Sequence, residues 1–340
     1  MDLRQPLRDV MGTKFELRLG DPTDSAIDRK LATLVPENRP GRGLEVEKHH
    51  ALVALPRVDH VSDAASLGDG VTDALRRISE AWSGSPAQRL KLLPVKVGLD
   101  ELRARAPEQK AMILGLEERH LDVLTFDRGV DHHLIVLGDT KSGKTTLLRA
   151  LVNEITRTTT PSETQVYVVD LRRTLLGIVP EDYLGGYLAT RDDVADMLGG
   201  LVEYLQTRLP GRDVTAEQLR KRSWWSGPEA WVIIDDYDLV ATASGNPAAG
   251  LQQLLAQAGD VGLHVVLARR SGGVSRQLFE PVLQGLIELG TMSVLLSGSP
   301  DEGQVLPGVK FRRAIPGRAQ VISRDNGVMV AQMAWVEPLA

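Results

Sequence analysis

Gly138-Asp139-Thr140-Lys141-Ser142-Gly143-Lys144-Thr145 stands between the apolar run His133–Leu137 and a stretch carrying Leu147, Leu148 and Leu151. The octet fills every fixed position of G-x-x-x-x-G-K-[ST]. A polyphosphate needs several backbone N–H groups converging on it; glycines let the backbone approach, and a following helix adds the positive end of its dipole. Gly138 through Thr146 are therefore the expected cradle, with Lys144 on the β- and γ-phosphates and the Thr145 hydroxyl on Mg2+. A glycine-rich turn ending in Lys-Thr by chance would lack the flanking strand and helix.

Outward from this loop, short β-rich runs alternate with longer amphipathic stretches. His133–Leu137, Gln165–Asp170, Ala230–Asp235, Leu263–Ala268 and Met292–Leu296 read as strands buried on both faces. Helices are expected over Gly143–Arg157, from Thr190 with Asp193 closing a capping box, from Asn246 with Pro247 at the first helical position, and after Ser275. The pattern predicts an α/β fold of the P-loop NTPase kind, and the family resemblance given below implies its RecA/FtsK-like form. It has a mostly parallel sheet, helices on both faces, and an antiparallel hairpin added by Ala319–Ser323 and Val328–Met333 around Asn326-Gly327.

Trp231-Val232-Ile233-Ile234 runs into Asp235-Asp236, where a magnesium nucleotide site needs its carboxylate. Asp235 is the expected partner of the Mg2+ shell, through water, and Asp236 the group that orients an attacking water. Arg269-Arg270 follow the Leu263–Ala268 strand. Arg269 reads as a phosphate sensor or a finger offered to a neighbouring subunit, and equally as a solvated basic turn. His133 and His264 read as core histidines, and Trp224-Trp225 as packing for a helix end.

The chain has 340 residues, 42% of them apolar, with 40 Lys+Arg, 45 Asp+Glu and no cysteine. That excludes a disulfide scaffold, a thiol nucleophile and a Cys-based zinc site. Its longest apolar runs fall far below the ~18 residues of a membrane span. A formal charge of -5 gives no footing for strong sequence-independent DNA binding.

The amino-terminal third is less regular, and a repeat explains it. Gly12-Thr13, Leu17, Gly20 and Pro22 recur as Gly290-Thr291, Leu295, Gly298 and Pro300, and Pro40-Gly41-Arg42 recurs as Pro316-Gly317-Arg318. Residues 1–60 thus read as the tail of a preceding copy of the domain, 61–110 as a connector containing Ser83-Gly84-Ser85-Pro86, and 111–340 as the ATPase domain. Arg42 and Arg318 are expected to tie their turns by hydrogen bonds. Met1 reads as a cut boundary.

Leu114-Gly115-Leu116-Glu117-Glu118, His132–Gly138, Gly143–Arg149, Ile233–Asp238 and the Pro-Gly-Arg hairpin together resemble the FtsK/SpoIIIE-type ATPase modules of EccC proteins of type VII secretion. The resemblance covers nearly the whole chain. It implies a cytosolic, ATP- and Mg2+-binding module in a string of ATPase domains tethered at the inner face of a membrane. The terminal module would capture the carboxyl-terminal export signal of small helical-hairpin secreted proteins, next to neighbouring modules or subunits. Active motors of the type carry Glu where this chain has Asp236, and a polar sensor where it has Arg269, which implies weak hydrolysis or ATP held as a regulatory ligand. The rival readings are a DNA translocase, which expects a basic channel, and a metabolic kinase, which needs an acceptor site and a lid.

Overall fold

The computed structural model describes residues 12–39, 41–63, 65–85 and 92–337. Met1, Pro40 and Pro86 lie outside them. The chain divides into two compact units, Met1–Arg89 and Leu90–Ala340.

The second unit is built on a ten-stranded sheet. In chain order after β1–β3 of the first unit (Phe15–Leu17, Arg42–Glu45, His50–Leu52), its strands are β4 Met112–Glu117, β5 Val123–Phe126, β6 His133–Gly138, β7 Thr164–Val169, β8 Leu184–Leu188, β9 Glu229–Ile234, β10 Leu263–Arg270 and β11 Met292–Leu295. A small pair, β12 Gln304–Leu306 and β13 Val309–Lys310, precedes β14 Arg318–Ser323 and β15 Gly327–Met333. The sheet order is β5-β4-β15-β14-β11-β6-β10-β9-β7-β8. From β11 through β8 every pairing is parallel, and from β11 through β14 to β5 every one is antiparallel.

Strand periodicity assigns the two faces. Leu134, Val136, Val266, Ala268, Trp231 and Ile233 pack with Leu147, Leu148, Leu151, Val152 and Ile155 of the Lys144–Thr158 helix. Their neighbours Ile135, Leu137, Val265, Leu267, Val232 and Ile234 face the opposite layer, built on the Arg191–Gln206 helix and on Leu251, Leu254, Val282 and Leu286. The Thr190–Asp193 capping box is present. Two helix starts differ from the expected ones. Asn246 accepts a hydrogen bond from the Ala248 amide, but Ala249–Gln257 is a 3-10 helix. Val274–Gln277 is also 3-10, and the α-helix begins at Pro281 with Glu280 as its cap.

Residues 92–110, the end of the stretch read above as connector, pack with the second unit. Val97, Leu99 and Leu102 are buried against Ile113, Leu116 and Ala150. Trp335 donates its amide to Val97 O at 2.8 Å and accepts from Leu99 N at 3.0 Å, in a parallel bridge at Gly98, with the Lys96 ammonium over its ring.

In the first unit β1, β2 and β3 form an antiparallel sheet in that order, the order of β11, β14 and β15. Each triplet has a 3-10 turn after its first strand, Pro22–Asp24 capped by Asp21 and Pro300–Glu302 capped by Ser299. Gly41 and Gly317 have φ of +83° and +77°. Their carbonyls accept from Val53 N at 2.8 Å and Met333 N at 2.7 Å respectively.

His133 and His264 are core residues, 4% and 2% exposed. His133 Nδ1 accepts from Val265 N at 3.0 Å while Nε2 donates to Leu255 O at 3.2 Å, which fixes the neutral tautomer. Burial pushes its pKa down to about 4. The unfolded chain therefore takes up the proton first, near pH 6.5. Stability is complete above that pH and falls as pH drops toward about 4, by at most about 1.4 kcal/mol per pH unit from this group. Urea unfolding at a series of pH values should show this slope reduced in His133→Asn. The Trp224 and Trp225 indoles donate to Arg208 O at 2.6 Å and Asp260 O at 2.7 Å, packing the loop as expected.

Candidate functional site

The loop leaves β6 at Gly138, where a Cβ would lie 2.6 Å from Ser142 Oγ and 2.7 Å from Leu296 Cβ. Lys141 at φ +63° and Gly143 at φ +112° fold it back over the helix start. Gly143 gives the Lys144–Thr158 helix no side-chain cap, so the first-turn amides remain available to an anion. Ser142 Oγ is buried without a hydrogen-bond partner among the described residues. Thr140 and Lys141 are exposed, and Thr146 is half-buried.

Lys144 is 7% exposed and donates from Nζ to Gly138 O and Asp139 O, both at 3.0 Å. Burial lowers its pKa, and Asp236, Asp235 and Asp238 in turn favour its charge. Thr145 Oγ1 donates to Asp235 Oδ2 at 2.9 Å. Asp235 also accepts from Thr174 Oγ1 at 3.2 Å and from the Asp236 amide at 2.9 Å. Burial, joined by the neighbouring Asp236, pushes the Asp235 pKa up, against the Thr145 hydrogen bond. A buried carboxylate and hydroxyl in contact are the hard oxygen donors that Mg2+ prefers. The uncapped amides, the buried amine and this pair together suit a magnesium nucleotide.

Asp236 sits at φ +46°, and its Oδ2 is 3.0 Å from Arg172 Nε. The carboxylate expected to orient water is thus engaged by an arginine that the sequence did not single out. Arg269 follows Leu267 on the face opposite the phosphate helix, is 2% exposed, and donates from Nη2 to Gln277 Oε1 at 2.7 Å. A finger offered to a neighbour must be exposed, and Arg269 is not. Arg270, the exposed member of the pair, binds Asp238 at 2.7 Å.

Four contributors escaped the sequence reading. Arg172 and Thr174 follow β7, which neighbours β9 only through the sheet order. Ser271 follows β10, and its hydroxyl donates to Asp139 Oδ1. Ser297 O accepts from the Asp139 amide at 2.7 Å. Only the position of each after a β-rich run marked it beforehand.

Among the described residues, no helix is long and apolar enough to cross a membrane. Residues 100–271 match the FtsK/SpoIIIE family. The chain is 44% identical to ESX-4 secretion system protein EccC4 of Mycobacterium tuberculosis over 99% of its own length and 26% of that protein. It is 39% identical to ESX secretion system protein EccC of Thermomonospora curvata, with the same coverage. It thus spans about a quarter of the length of these relatives. A solved structure of Thermomonospora curvata EccC, its ATPases 2 and 3 in complex with a signal sequence peptide, superposes at TM-score 0.78 with 39% identity, over 98% of this chain and 60% of that one.

Proposed function

Since the chain belongs to the FtsK/SpoIIIE family, we propose that it is an ATP-binding module of a type VII secretion ATPase, and that it recognises the carboxyl-terminal export signal of small helical secreted proteins. The observation that carries the nucleotide half is the Thr145–Asp235 hydrogen bond beside the buried Lys144 amine. Gly138–Thr146 would hold the phosphates, Lys144 the β- and γ-groups, and Thr145 with Asp235 the Mg2+, through water at the carboxylate. Bound Mg2+ supplies charge neutralisation of the phosphates. The signal half rests on the peptide held by the Thermomonospora relative. Residues 1–60 are the tail of a preceding module in this proposal, supported by the matched strand order, capped turns and left-handed glycines of the two units. Neighbouring modules are its other partners, and its place is the cytoplasmic face of the membrane, reached through the whole complex.

Hydrolysis is slow in this reading, because Asp236 is one methylene short of Glu and is paired with Arg172. A misplaced group can lose on the order of 10²-fold in rate. Asp236→Glu should raise phosphate release. A wild-type rate of ~1 to 10³ per second at low protein concentration would overturn this.

The partner test sets an amphipathic secreted-protein tail against duplex DNA. The peptide should bind with little salt dependence and weaken when its apolar anchors become Ala. Duplex binding at physiological salt with a steep salt slope, and no tail binding, would favour a DNA translocase.

A further inference from the structure

Gln332 lies within β15 and is 3% exposed. A buried amide needs its hydrogen bonds made, and this one spends them on a single turn. Its Nε2 donates to Pro316 O at 3.2 Å, and its Oε1 accepts from Arg318 Nε at 3.0 Å. Arg318 is fixed in turn by donating from Nη2 to Pro94 O at 2.8 Å and Leu93 O at 3.2 Å. Between the two bracketed residues stands Gly317, whose amide donates to Ser142 O at 2.8 Å, inside the phosphate loop. The joint is tight on both sides. A Cβ on Gly317 would lie 2.6 Å from Gln332 Nε2, and one on Gly143 would lie 3.3 Å from Gly317 N.

Ser142 O and Gly143 N–H belong to one planar trans peptide, so they point in opposite directions. Drawing the carbonyl toward Gly317 turns the Gly143 amide away from the turn. Resting on the nucleotide reading above, we propose that Gln332, with Arg318, is a positioning residue for bound nucleotide: it holds the Pro316–Arg318 turn so that Gly317 presets the Ser142–Gly143 peptide for phosphate.

The first unit supplies an internal comparison. Its turn has the same left-handed glycine, Gly41, and the same bond from Gly41 O to the third strand, at Val53. The residue before Val53, in the place of Gln332 before Met333, is Leu52, 62% exposed. The left-handed glycine and its hydrogen bond therefore form without the buried amide.

The test uses the full chain with Gln332→Leu, which takes the first unit's residue, and measures Mg-ATP affinity by calorimetry alongside thermal unfolding without nucleotide. Hydrogen bonds to charged groups are the stronger kind, so a misaimed amide should raise Kd about tenfold while nucleotide-free unfolding moves by only a few degrees. Unchanged affinity, with or without a lower melting temperature, overturns the proposal and leaves Gln332 a hairpin residue. Hydrogen exchange on the wild type is a second readout that does not depend on the variant folding. Exchange at the Gly317 amide should slow at least about tenfold when Mg-ATP is added, and equal exchange overturns the proposal. If the wild type itself binds no Mg-ATP, the nucleotide reading falls and this proposal with it, whereas wild-type binding with an indifferent Gln332→Leu removes only the positioning role.

Discussion

Lys144→Ala should weaken Mg-ATP binding about 100-fold while leaving nucleotide-free unfolding nearly unchanged. The amine is almost wholly buried and, among the described residues, bonded to two backbone carbonyls, Gly138 O and Asp139 O. Burial disfavours its charge while Asp236, Asp235 and Asp238 favour it, and these opposed effects leave the amine a small net contribution to stability. Toward phosphate the balance reverses. Hydrogen bonds to charged groups contribute about 1.5–3 kcal/mol each, and losing one or two of them at about 1.4 kcal/mol per tenfold gives the stated loss. Calorimetry on the two proteins decides the matter. Equal affinities would mean that nucleotide, if bound, sits elsewhere.

The second large effect is on folding. Glu154 on the phosphate helix is 0% exposed and binds Arg157 Nη2 at 2.6 Å and Arg103 at 2.8 Å. Its Oε2 also accepts from the Ile113 amide at 2.9 Å. One carboxylate thus joins the helix to the Leu99–Arg105 helix and to β4. Burial raises its pKa, but Arg157, Ile113 and Arg103 together outweigh burial and hold it below the ordinary value. Glu154→Ala should cost about 3–5 kcal/mol, because it strands the β4 amide and two half-buried guanidinium groups. Because the folded carboxyl is the stronger acid, its contribution is complete above the unfolded pKa of about 4.3 and is lost as pH falls through the folded value. Chemical denaturation at pH 7 and pH 4 should therefore show a smaller gap between wild type and Glu154→Ala at the lower pH.

The central strands were legible because burial on both faces leaves a local mark: Leu134–Leu137 and Trp231–Ile234 have no polar alternation to misread. β8 was not, since Leu184-Gly185-Gly186-Tyr187-Leu188 at the sheet edge offers two glycines where a β-branched run would stand. β5 was missed for its brevity, four residues paired with β4 across a bulge. The 3-10 helix at Ala249–Gln257 carries leucines at 251, 254 and 255, which three- and 3.6-residue periods serve equally well. The phosphate loop and Asp235 were readable as short motifs. Arg172, Thr174, Ser271 and Ser297 come together only through the order in which strands assemble, and their place after a β-rich run does not by itself say which strands will be neighbours. Period-two alternation puts Arg269 with Leu267, away from the loop.

The pairing of Val97–Leu99 with Trp335 has a mechanical consequence. The two backbones run parallel, so pulling the chain backward before Val97 and forward after Trp335 loads both hydrogen bonds at once, in shear, instead of peeling them one after the other. Tension applied there crosses the unit through this short clasp, with the Lys96 ammonium seated on the Trp335 ring. Leu93 and Pro94, which lie just before the clasp, hold Arg318, so a pull on that side also loads the Pro316–Arg318 turn that bonds the phosphate loop at Ser142.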